Sequence, residues 1–210
     1  MIHDALKSRF DGLPTHKLCY YQSPHPTETV IHHIKNLAGQ NEASLNAVDC
    51  LGMTPLHILA CSTKQNLALY QFIVASNPKS LITEDNWGCL PILYAIWGSA
   101  PLSIIQFLTD SQMSAFPNHI LDWDDMIETL CRAGATLEIV LTLLRVQQTL
   151  FSKQSVNWWK AARELTIRLL VDLDFCSDWE AAIFEQWKAT LEVFGASQVH
   201  QELVQCMLEI

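Results

Sequence analysis

Three residues recur at one fixed offset: Asp49, Gly52 and Pro55 return as Asp85, Gly88 and Pro91, each 36 residues later. A period of this length is the signature of stacked supersecondary units, none of which can bury its apolar face alone. The register extends on both sides. Asn41 and Leu45 lie 36 residues before Asn77 and Leu81. A third, weaker copy places Gly98 on Gly134, Trp87 on Trp123 and Leu108 on Leu144, but Pro91 falls on Ile127 and the proline is lost. Upstream, Leu13-Pro14-Thr15-His16 echoes Thr54-Pro55-Leu56-His57 at an offset of 41. The chain therefore holds three to four units, clearest in the middle.

Each unit reads as helix, turn, helix and extended loop. Thr54 is placed to cap a helix whose first turn holds Pro55, where the missing N–H would have had no partner anyway. Leu56, Leu59 and Ala60 face a core. Asn66 can cap the next helix, whose stripe is Leu69, Phe72, Ile73 and Ser76. Asn77-Pro78 ends it, because the residue before a proline avoids the helical region. Asp49 to Gly52 and Asp85 to Gly88 mark tight turns, with glycine free to take a positive φ.

The Thr-Pro-Leu-His at 54–57, the aspartate and glycine ahead of it and the paired helices resemble the ankyrin repeat, in the divergent form found in large families of single-celled eukaryotes. The resemblance implies an all-α solenoid of about 3–4 degenerate repeats over 1–150, strongest over 46–112, with a C-terminal helical cap. There are departures, among them a longer loop between the paired helices. Leu90 and Leu93 occupy the family's threonine and histidine positions, and the third copy keeps only its apolar frame.

Past about Gln154 the period stops. Stripes at Trp158, Ala162, Leu165, Leu169 and Leu173, at Trp179, Ile183, Trp187 and Leu191, and at Val199, Leu203 and Met207 predict three helices. Residues 151–210 then form either a cap on the repeat stack or a separate helical module.

Composition narrows the function classes. Half of the 210 residues are hydrophobic, and 13 Lys and Arg face 22 Asp and Glu for a net charge of -9. Such a balance disfavours phosphate backbones, and the densest basic spacing, Lys160, Arg163 and Arg168, is diluted by Glu164. No apolar run approaches a membrane span, and the N-terminus has no signal-peptide core. Seven cysteines without CxxC spacing point to reduced thiols in the cytoplasm or nucleus.

Three clusters could carry chemistry. Cys50, His57 and Cys61 supply three ligand types where structural zinc needs four, with Cys50 on a turn and the other two on a helix. The same trio, as a thiol- or metal-dependent enzyme or sensor, is the competing functional reading. His32 and His33 are adjacent, so their rings diverge on a helix. Asp124 and Asp125 stand in a first helical turn, where the helix dipole favours negative charge. No GxSxG, HExxH or phosphate loop is present.

In the ankyrin family, partners are met by the turn tips and the exposed side of the first helix. The corresponding columns here are Leu51, Trp87 and Trp123, then Met53, Cys89 and Asp125, then Cys61, Trp97 and Ala133. Apolar residues at such places either form a contiguous interaction patch or are buried by longer loops. The expected function is a non-catalytic scaffold that binds a protein partner through Leu51, Met53, Trp87, Trp97 and Trp123. No cofactor, metal, nucleic acid or membrane is expected, and the chain is read as a monomer.

Overall fold

Residues 9–22 and 26–150 are described by the computed structural model. The three helices expected over 151–210 lie outside the described residues. Within the described residues every regular element is helical: α1 (Pro14–Tyr21), α2 (Thr27–Gln40), α3 (Pro55–Ala60), α4 (Leu67–Ser76), α5 (Pro91–Trp97), α6 (Leu102–Ala115), α7 (Trp123–Arg132) and α8 (Leu137–Leu150). Short 3-10 turns follow α2 at Glu42–Leu45 and α4 at Pro78–Ile82, at the period seen in the sequence. The chain divides into two compact units, Met1–Ile120 and Leu121–Ile210. The division falls ahead of the weak third copy.

In the first unit α1, α3 and α5 pack in succession, and so do α2, α4 and α6, giving two layers of helices. The core between them is aliphatic. Leu56, Leu59, Leu69, Ile73, Ile96, Ile104 and Leu108 are buried, together with Tyr70. Pro14, Pro55 and Pro91 each open a helix of the first layer. Of these three helices only α3 has a side-chain cap. Thr54 Oγ1 accepts from the His57 N–H, and the Thr54 N–H donates to His57 Nδ1, so the histidine completes a capping box. Asn66 caps α4 by accepting from the Ala68 N–H, as its position before the apolar stripe predicts.

Polar side chains tie each helix pair to the next. His16 Nε2 lies 3.0 Å from the Met53 carbonyl, and His57 Nε2 lies 3.0 Å from the Cys89 carbonyl. A carbonyl only accepts, so both rings carry their proton on Nε2. In the other layer, Asn66 Nδ2 donates to Thr27 Oγ1 and Asn77 Nδ2 to the Leu45 carbonyl. Each bond satisfies a backbone or side-chain group that burial would otherwise strand, at about 1–3 kcal/mol if lost.

In the second unit, Asp122 caps α7 by accepting from the Asp125 N–H at 2.9 Å. Met126, Ile127, Leu130, Val140, Leu143 and Leu144 are buried. The register differs here from the expected one. The Ala135 N–H closes onto the Leu130 carbonyl as the Ala100 N–H closes onto Ala95, so Gly134 (φ 79) matches Ser99 (φ 54), not Gly98. The offset at the ends of these helices is 35, not 36.

Candidate interaction surface

The Asp-x-x-Gly turns are built alike in both copies. Asp49 Oδ1 accepts from the N–H groups of Leu51 (2.8 Å) and Met53 (3.0 Å). Asp85 Oδ1 accepts from Trp87 (2.9 Å) and Cys89 (3.0 Å). The glycine N–H returns to the aspartate carbonyl in each, and the aspartate N–H reaches the carbonyl four residues on. The second carboxylate oxygen takes an outside donor: Arg9 Nε at 2.7 Å on Asp49, and the Tyr94 hydroxyl at 2.5 Å on Asp85. Burial and the Asp85 carboxylate hold the Tyr94 phenol well above its usual range.

Neighbouring tips also pair. The Asn86 N–H donates to the Leu51 carbonyl at 3.0 Å, and Asn86 Nδ2 to the Cys50 carbonyl at 3.3 Å. Gly52 makes this approach possible. It has φ 76, and a Cβ there would sit 2.5 Å from Asn86 Oδ1 and 3.0 Å from the Asn86 backbone nitrogen.

This geometry sorts the five residues expected at the interface. Trp87 stands two residues after its aspartate, faces outward and is 61% exposed. Leu51, its counterpart, is half-buried, as is Trp97 at the end of α5. Met53 does not face a partner. The bond that closes the turn brings the fifth residue inward, so Met53 is 5% exposed, with its sulfur 2.9 Å from Arg9 Nη2. Cys89 is buried in the same way. Trp123 is also no tip. Leu121 stands where the turn aspartate should be, α7 starts early at Trp123, and the indole is 2% exposed. Of the three tryptophans among the described residues, Trp87 is exposed, Trp97 half-buried and Trp123 buried.

No family model, curated protein or solved structure matches this chain.

The chemical candidates separate in space. Cys50 is exposed on its turn, whereas His57 is buried with both ring nitrogens engaged, Nδ1 by Thr54 and Nε2 by Cys89. Desolvation lowers the His57 pKa, partly offset by the Cys89 carbonyl. Cys61 is exposed at the end of α3, yet desolvation around its sulfur raises the thiol to about 11. A nucleophilic cysteine needs the opposite shift and a free base. Among the described residues no three His, Cys, Asp or Glu side chains are grouped to hold a metal ion. His32 and His33 are both exposed, with rings 6.4 Å apart and tilted by 48°. No helix among the described residues is long and apolar enough to cross a membrane.

Pro14, Leu18, Tyr21, Val30 and Leu37 line an open apolar groove of about 530 Å³ between α1 and α2. Tyr21, at its rim, is about half exposed.

Proposed function

We propose that this chain is a non-catalytic protein-interaction scaffold, an ankyrin-like stack of helix pairs that meets a partner through its turn tips and the exposed side of the first-layer helices. The observation that carries the reading is Trp87. A large apolar ring stands in solvent on a turn whose backbone is fixed by Asp85, Gly88 and the bond from Asn86 to Leu51. The backbone beneath the ring is already ordered, so binding costs little further main-chain freedom, and tryptophan is favoured among residues that dominate interface energies. Leu51 on the preceding tip extends the apolar contact. Met53 and Trp123 have no part in this surface. The ankyrin-like reading is further supported by the Thr54–His57 capping box, the histidine bonds to the following turn and the recurrence of the turn itself.

The test compares the native chain with Trp87→Ala. The ring makes little contact within the monomer, so the far-ultraviolet circular dichroism and the urea midpoint stay close to native. Partner captured from an extract of the source cells falls at least tenfold, the loss expected when an anchor worth 2 kcal/mol or more is removed. Undiminished capture by the folded variant overturns the role of Trp87.

A further inference from the structure

The two histidines that link the helix pairs are not equivalent. His57 Nδ1 lies 2.8 Å from the Thr54 hydroxyl. Thr15, by contrast, follows its proline instead of preceding it, and His16 Nδ1 has no hydrogen-bond partner. His16 is fully buried on α1, its ring stacked at 6.3 Å on Phe10 and its Nε2–H bonded to the Met53 carbonyl. The charged groups that face it are Asp49, on the turn it bonds, and Arg9, ahead of α1; His57 faces it from α3.

Adding a proton affects the two rings differently. On His57 the new Nδ1–H can turn onto the Thr54 hydroxyl, which accepts as readily as it donates, although the Thr54 N–H then loses Nδ1 as its acceptor. On His16 the new N–H finds no acceptor. Asp49 cannot supply one, because Oδ1 already takes two backbone N–H groups and Oδ2 takes Arg9. The charge would also be buried close to the Arg9 guanidinium.

We propose that His16 is an acid-sensitive latch, and that its protonation releases the α1–α2 pair from the rest of the 1–120 unit while α3 to α6 stay folded. Burial lowers the folded-state pKa of His16, with the Met53 carbonyl and Asp49 opposing and Arg9 adding to the shift. A group whose folded pKa lies below its unfolded value contributes stability that is complete above about 6.5 and is lost as pH falls toward the folded pKa. The loss starts in a window where carboxylates remain ionised.

Hydrogen exchange of the full chain between pH 7.5 and 5, corrected for intrinsic exchange chemistry, tests the latch. Opening of α1 and α2 is expected to rise by up to about tenfold per pH unit below about 6.5, while amides of α5 and α6 respond much less. His16→Gln keeps a donor for the Met53 carbonyl and does not titrate, so it removes the pH dependence of α1 and α2. Equal responses in α1–α2 and α5–α6 overturn the proposal, as does a His16→Gln chain that responds like the native one. If that variant does not fold, the comparison within the native chain decides alone.

Discussion

Gly52 carries two constraints at one atom. Its φ of 76 disfavours any side chain, and the space a Cβ would fill is occupied by Asn86, including that residue's backbone nitrogen. A left-handed backbone costs an ordinary residue about 1–2 kcal/mol, and displacing Asn86 adds the loss of its bonds to Leu51 and Cys50. Gly52→Ala is therefore expected to lower stability by about 2–4 kcal/mol in urea denaturation. Gly88 has the same φ but nothing within 4 Å of the Cβ position, so it serves as the internal comparison: Gly88→Ala carries only the backbone cost. Equal losses at the two sites would show that the approach of Asn86 adds nothing. Trp87 illustrates a neighbouring point. A turn fixed by one aspartate sends the third residue outward and the fifth inward, which is why Trp87 and Met53, two columns expected side by side on a surface, have opposite environments.

At the scale of elements, local chemistry was readable and pairing was not. The starts of α3 and α4 and the end of α4 follow from Thr54-Pro55, Asn66 and Asn77-Pro78, because capping and proline sterics act within a few residues. The burial of Met53 and Trp123 depends on which group closes a turn and on where a helix begins. A column of residues spaced by 36 does not record either. The start of α1 shows the same motif with its parts exchanged. Leu13 holds the cap position and makes no side-chain cap, while Thr15 places an unpartnered hydroxyl in the position where Leu56 is buried in α3. Exchanging them, Leu13→Thr with Thr15→Leu, should supply the missing cap, give His16 Nδ1 a hydroxyl partner and remove a stranded polar atom. The expected gain is about 1–3 kcal/mol, read as a higher urea midpoint with unchanged slope. A midpoint at or below the native value would show that the first helix does not use the geometry of α3.

Across the whole molecule the links between helix pairs follow a rule that also says where they stop. His16 bonds the turn at Met53, and His57 bonds the turn at Cys89. The next position in the series is Leu93, which is buried and has no donor, and the aspartate that would shape the next turn is replaced by Leu121. Both halves of the device are lost in the same copy. The compact unit that contains the intact links ends at Ile120, next to that loss. The sequence recorded the weakening of the third copy, but its apolar frame continues to 150, and apolar spacing alone does not show whether the histidine links go on. The loss of this device predicts that the 1–120 unit is independent. A fragment covering 1–120 contains every hydrogen-bonded link described between α1 and α6, together with the aliphatic core of both layers, so it should fold alone. The expected result is native-like helical circular dichroism and a single cooperative urea transition, with α3 to α6 amides protected from exchange to about the level seen in the full chain. A fragment that is unfolded, or that loses protection throughout α3 to α6, would mean that residues beyond 120 complete this core and that the break at Leu93 is not a boundary of stability.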